Sequence, residues 1–202
     1  PDSPFRELAL ADGPCHTGFG RATLERGLDN YFAKLTRESL RAWLAQELGD
    51  VRRLDEFTIA SGEEKFSRAA IATGPEFLAH VCACNLPNPT WTSMVLGLLT
   101  RSAQFVKCAT GASFLPRLFA HSIYDADHKL GACLEVAEWR GGHAALEEIL
   151  FAEADCITAT GSDETLTTIR SKLPGRKRFL GYGHRVSFGY VTGESLSGFG
   201  GK

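Results

Sequence analysis

From Phe77 onward, short apolar runs alternate with segments of about ten residues whose apolar positions recur at helical spacing. The apolar runs fall at residues 77–84, 103–108, 133–137, 156–160 and 178–182, and the helical segments at 91–100, 114–124, 144–151 and 163–171. Antiparallel neighbours can be joined by a tight hairpin, whereas parallel neighbours need a crossover of about this length. Five strands joined in this way predict an α/β fold built on a doubly wound, mainly parallel five-stranded sheet. Sheets of that kind bind ligands outside the carboxyl ends of their strands. The segments that follow each apolar run are therefore where chemistry is expected.

The residues ahead of this pattern predict an N-terminal helical leader. Leu24, Leu28 and Phe32, then Leu40, Leu44 and Leu48, recur four apart, which places each trio on one helical face. Thr36 is positioned to cap the second helix and Gly49 to end it. Residues 50–75 are charged and weakly periodic and end in Gly74-Pro75, as a connection does. The expected organisation is a leader and connection over 1–73, a dinucleotide-binding α/β domain over 74–192, and a glycine- and serine-rich frayed end or cut linker over 193–202.

Composition narrows the function classes. Apolar residues make up 44% and charged residues 23%, which suits a globular protein rather than a disordered one. No run approaches the roughly 18 apolar residues of a membrane span, and the first residues lack the pattern of a signal peptide, so a cytoplasmic protein without a membrane span is expected. The net charge of −2, with acids and bases interspersed, offers no basic stripe for nucleic-acid phosphates. The six cysteines are scattered, mostly in apolar segments where a thiol packs as a small hydrophobe. Cys82 and Cys84 share a strand face, but no second Cys/His pair follows at zinc spacing, so core packing is expected there and no metal.

Four segments after strand ends carry candidate residues. Gly161-Ser162-Asp163-Glu164 opens a helix: a glycine admits a ligand to the backbone, a serine cap bonds a free N–H or an anion, and the helix start favours negative charge. A pyrophosphate seat and an ordinary capped helix both fit that pattern. Lys107 closes the second strand, where a solvated ammonium could reach ribose hydroxyls or a phosphate, or simply mark the strand end. Asn85, in Asn85-Leu86-Pro87-Asn88-Pro89, could aim an amide at a developing oxyanion, although two prolines also fit a rigid turn. Residues 181–188 set His184 and Arg185 among glycines, a phosphate or carbonyl contact or a charged loop. No G-x-G-x-x-G follows any expected strand, since Gly18-Phe19-Gly20 has Thr23 at the third position and Gly181-Tyr182-Gly183 has Val186.

Taken in order and spacing, these segments resemble the acyl-CoA reductase family typified by the fatty-acid reductase subunit of bacterial bioluminescence, a branch of the aldehyde dehydrogenase superfamily. The likeness rests on Gly74-Pro75, His80, Asn85-Leu86-Pro87, Leu96-Gly97-Leu98-Leu99, Phe105-Val106-Lys107, Trp139-Arg140-Gly141-Gly142, Gly161 to Thr165 and Tyr182-Gly183-His184-Arg185-Val186-Ser187. It covers roughly residues 20–191. The resemblance implies an aldehyde dehydrogenase-type Rossmann variant, which binds a dinucleotide without the glycine fingerprint. It implies that Lys107 contacts the adenosine ribose, that Gly161 and Ser162 face the pyrophosphate, that Asn85 helps form an oxyanion hole, and that the backbone around Cys84 lines the nicotinamide side. Gly142, Gly183 and Arg185 become further cofactor-binding candidates, and His184 a catalytic one.

Two departures sharpen the expected reaction. Where many NAD-preferring relatives carry a ribose-gripping glutamate, this chain has Thr110, which admits the 2′-phosphate of NADPH while leaving NADH feasible. Hydrolysing aldehyde dehydrogenases carry a Glu-Leu-Gly-Gly motif, and the matching Gly181-Tyr182-Gly183-His184 has no carboxylate to activate water. The expectation is NAD(P)H-dependent reduction of a fatty acyl-CoA, or another acyl-carrier thioester, to an aldehyde. None of the six cysteines matches the family nucleophile, so the catalytic cysteine domain is expected beyond this chain and the fragment alone should be inactive. A non-catalytic nucleotide- or acyl-binding module and an acyl-phosphate reductase are the alternatives. A homo-oligomer or a reductase complex is the expected assembly.

Overall fold

Serine, threonine and glycine at helix ends set the first elements in place. The computed structural model describes residues 3–83 and 87–184. Ser3 caps helix α1 (Pro4–Ala11) by accepting the Arg6 N–H, with Pro4 in the first turn, where its missing N–H costs nothing. After α2 (Gly13–Thr17) come α3 (Arg21–Phe32) and α4 (Arg37–Leu48). The Thr36 hydroxyl caps α4 at Ser39 N, and Gly49, at φ +77°, ends it, as the sequence implies. The connection holds single 3-10 turns at Val51–Leu54 and Glu64–Phe66 and one antiparallel bridge, Thr58 to Ala70.

The α/β part follows as β1 (Phe77–Cys82), α5 (Pro87–Leu99), β2 (Ala103–Cys108), α6 (Phe114–Ala126), α7 (His128–Gly131), β3 (Leu134–Glu138), α8 (Ala144–Glu153), β4 (Cys156–Thr160), α9 (Asp163–Lys172) and β5 (Arg178–Tyr182). All pairings are parallel, in the order β3-β2-β1-β4-β5. This is the doubly wound, Rossmann-like sheet that the alternation implies. The order runs outward from β1 to β3, then jumps back across β1 to β4. Right-handed crossovers then put α5 and α6 on one face and α8 and α9 on the other. The two directions part between β1 and β4, the crevice where such sheets take ligands.

Each face has its own core, because strands covered on both sides need apolar residues at both parities. Val106, Cys108, Leu134 and Val136 pack with Trp91, Met94, Leu115 and Phe119 on the first face. Phe5, Leu10, Leu24 and Leu28 of the leader join that same cluster, and Arg6 ties α1 to α3 through Glu25 (3.0 Å) and Asp29 (3.1 Å). Ala79, Ile157 and Ala159 meet Leu150, Phe151, Ile169 and Leu173 on the second face. α4 buries no residue fully. Helices α1, α2 and α7 are absent from the sequence reading, and β1 ends at Cys82. No helix among the described residues is long and apolar enough to cross a membrane.

The central strands carry a buried polar crossbar. His80 on β1 is 1% exposed, with Nδ1 2.6 Å from Thr158 Oγ1 on β4 and Nε2 2.9 Å from Gln104 Oε1 on β2. Gln104 Nε2–H donates to Met94 O (3.1 Å), which turns its oxygen toward the imidazole and makes His80 Nε2 the donor. Burial pushes the His80 imidazole below its usual range, partly offset by the Gln104 bond. His80 therefore serves as a neutral cross-link that fixes the register of three strands.

Candidate functional site

The alternation of side chains along a strand decides which residues reach the second face. Val81 on β1 and Lys107 on β2 point there, beneath the slot between α8 and α9. Helix α8 contributes Glu147, Leu150 and Phe151, and α9 contributes Glu164, Thr165, Thr168 and Lys172, a stripe at i, i+4 spacing. Trp139, Gly141 and Gly142, which follow β3, complete the wall. The cavity is open to one side and about 340 Å³, apolar toward Val81 and Leu150, with Lys107, Glu147, Glu164 and Lys172 as its charged groups.

Lys107 differs from its expected setting. It lies within β2 rather than at its end and is 5% exposed. Its Nζ stands 5.7 Å from the centre of the Trp139 ring, so the stem is packed while the cation faces an aromatic surface in the cavity wall. The expectation of a solvated ammonium is corrected for that reason: position 107 has the parity of the covered face. Beside it, burial would raise the Glu147 carboxyl, but the Lys172 bond (2.7 Å), the Gly142 N–H bond (2.7 Å) and the charges of Lys172 and Lys107 outweigh it and hold Glu147 below the usual carboxylate range. The Glu147–Lys172 pair links α8 to α9 across the slot.

Of the glycine and serine candidates, Gly142 lies on the cavity wall, and Gly161 and Ser162 adjoin its Thr165. Gly142 adopts φ +86°, which side-chain-bearing residues rarely take, and its N–H turns to Glu147. Ser162 caps α9: its Oγ accepts Thr165 N–H (3.3 Å) and lies 3.1 Å from Thr165 Oγ1. Gly161 receives support from β5 through its N–H to Tyr182 O (3.3 Å). At the exit of β5, His184 N–H donates to Asp163 Oδ1 (3.2 Å), and a Cβ on Gly183 would collide with that carboxylate. A bond from its own backbone N–H, and one from the Ser162 side chain, lower the exposed Glu164 carboxyl. The start of α9 is thus a capped helix with Glu164 at its own N–H and Asp163 turned to the His184 N–H.

The structure brings Lys107 and Gly142 together in one cavity, sets Gly161 and Ser162 beside its Thr165 wall, and puts Gly183 and His184 next to Asp163. Thr110 is exposed in the turn after β2 and is not among the residues lining the cavity. The neighbouring Glu138 carboxylate is turned to α6, accepting Gly111 N–H (2.8 Å) and Ser113 N–H (3.3 Å), and those bonds hold it below the usual range, the Gly111 bond foremost. Cys84, Asn85 and Arg185 lie outside the described residues. Cys82, Cys108 and Cys156 are buried, and burial pushes the Cys156 thiol up, away from the reactive thiolate form. Among the described residues no group of His, Cys, Asp and Glu is arranged to hold a metal.

Sequence reasoning missed Glu147, Lys172 and the part played by Trp139. The cavity-facing stripes of α8 and α9 are legible as i, i+4 spacing, but their facing each other requires the strand order.

Comparison with known proteins adds two findings. The family model described as acyl-CoA reductase (LuxC) matches residues 4–196. A long-chain acyl-protein thioester reductase from Vibrio harveyi is 27% identical over 112 residues, which is 54% of this chain and 24% of that protein. The chain thus spans about a quarter of that relative's length.

Proposed function

Because the chain belongs to the acyl-CoA reductase (LuxC) family, we propose that it forms the cofactor-holding part of an enzyme that reduces an acyl thioester to an aldehyde. Fatty acyl-CoA is the proposed substrate, and an acyl carrier protein is the alternative thioester donor, in line with the name of the Vibrio harveyi relative. The cofactor is NADPH, with NADH also accepted. When bound, the nicotinamide supplies the hydride that the acyl carbon receives.

The observation that carries this reading is the slot between α8 and α9. It joins a buried cation, Lys107, to an aromatic wall, Trp139, and an apolar floor, beside a capped helix start. Those are the features an adenosine with phosphates attached requires: flat apolar surface for the base and positive charge for ribose or phosphate oxygens. The indole Nε1 of Trp139 is buried without a partner, which supports a site that takes a ligand acceptor. Lys107 would hold the ribose, Gly142 and Gly161 would let the ligand approach the backbone, and Ser162 would flank the diphosphate. Thr110 puts no carboxylate at that position in the turn after β2, which favours a 2′-phosphate.

Asn85 would polarise the thioester carbonyl and stabilise the developing oxyanion. His184, held by its backbone at Asp163, would stand at the same carboxyl edge. With no carboxylate in Gly181-Tyr182-Gly183-His184, water activation is disfavoured and reduction competes better. The thiol that takes the acyl group is assigned to a part of the protein outside this chain.

Titration of the chain with NADPH and NADH, followed by nucleotide fluorescence, tests the cofactor reading. Saturable binding is expected, weakened about tenfold or more in Lys107→Ala, the worth of one charge-assisted hydrogen bond. No binding of either nucleotide at millimolar concentration, or no effect of the substitution, would overturn it.

A further inference from the structure

One polar atom in this protein is out of place by the ordinary rules of burial. Among the described residues, Trp139 Nε1 is the buried side-chain nitrogen or oxygen with no hydrogen-bond partner. Leaving such a donor unpaired costs roughly 1–3 kcal/mol, and nearly all buried donors in folded proteins avoid it. A different indole shows the usual solution: Trp91 Nε1 donates to Leu115 O at 3.4 Å.

The surroundings of Trp139 offer no internal remedy. Phe105 packs at 5.9 Å between ring centres, and an aromatic ring accepts weakly. The Lys107 ammonium, 5.7 Å from the ring centre, is a donor itself. The Glu147 carboxylate, an acceptor in the same cavity wall, is already bonded to Lys172 and to Gly142 N–H. Two donors, an indole and an ammonium, thus share one wall of an apolar-floored cavity of about 340 Å³. What that wall requires is an acceptor, and the cavity is where one can enter.

We propose that Trp139 is a ligand-binding residue whose indole N–H donates to an oxygen or ring nitrogen of the adenosine phosphate held in the slot, next to Lys107. This rests on the nucleotide-site reading above and adds a residue and a bond to it. The bond requires the indole edge to turn Nε1, closed off in the free protein, toward the cavity that Trp139 lines. The bond then removes an unfavourable contact of the free protein as well as adding one in the complex, so binding gains from both states.

Indole-labelled NMR on the whole chain is the test, with ADP-ribose as the probe. The sequence has three tryptophans, Trp43, Trp91 and Trp139, so three indole N–H signals are expected, and Trp139→Phe assigns one of them. On saturation with ADP-ribose the Trp139 signal should move downfield, as a newly bonded N–H does, while that of Trp91 stays in place. Trp139→Phe should weaken ADP-ribose about five- to tenfold, one hydrogen bond's worth. Binding by the wild type with the Trp139 signal unmoved, or with equal affinity in Trp139→Phe, refutes this role and leaves the nucleotide site standing. Failure of the wild type to bind ADP-ribose at all refutes the site and this role with it.

Discussion

Replacing Gly97 with alanine should destabilise the protein, although glycine to alanine inside a helix ordinarily stabilises. Helix α5 gains about 1 kcal/mol from the change through backbone entropy alone. The new Cβ, however, would fall within 3.0 Å of three atoms of the Gln104 carboxamide. Gln104 is 3% exposed and cannot withdraw without releasing His80 Nε2 (2.9 Å) and Met94 O (3.1 Å). Each of these two stranded groups costs roughly 1–3 kcal/mol, so after the helix gain the net loss should be about 1–5 kcal/mol. Urea unfolding followed by circular dichroism reads this as a lower midpoint at unchanged slope. Gly27→Ala in α3 is the control, because its Cβ meets nothing within 4 Å and only the helix gain of about 1 kcal/mol remains. If Gly97→Ala stabilises as Gly27→Ala does, the crossbar of His80, Gln104 and Thr158 does not hold the sheet as described.

Other outcomes follow from the same contacts. Burial lowers the folded His80 imidazole, so the unfolded chain binds the proton first: stability is full above the unfolded value of about 6.5 and falls as pH drops below it, by at most about 1.4 kcal/mol per pH unit, until the folded value is passed. Melting of the wild type and His80→Gln across that range should show a steeper fall in the wild type. Glu138→Ala should cost about 1 kcal/mol, a cap's worth, because Gly111 and Ser113 N–H lose their acceptor at the start of α6; denaturant midpoints check it. Lys107→Met keeps the stem against Trp139 and removes the charge, so it should melt within a few degrees of the wild type yet bind NADPH as weakly as Lys107→Ala.

The sheet was legible because its signals are local. Apolar runs, crossover lengths and the caps at Thr36, Gly49 and Ser162 each sit within a few residues of what they determine. Helix α1 also carried a local signal, Ser3 capping with Pro4 behind it, but at eight residues it is too short for a clear apolar period. The setting of Lys107 was not legible. Its neighbours Ala137 and Val81 come from other strands and Trp139 follows β3, and only the order β3-β2-β1-β4 shows that position 107 faces a covered slot rather than water. The same holds for His80, whose partners Gln104 and Thr158 lie 24 and 78 residues away in sequence. Resemblance to a family pointed to Trp139 as a motif residue, but the missing partner of its indole is a property of packing alone.

Hydrogen exchange of the chain with and without saturating NADPH tests the central claim, that the slot between α8 and α9 holds the cofactor. Slowed exchange is expected in residues 139–147 and 161–169 and at the carboxyl ends of β1 and β2, with α1, α3 and the α5–α6 face unchanged. Protection confined to that opposite face, or none anywhere, would contradict it.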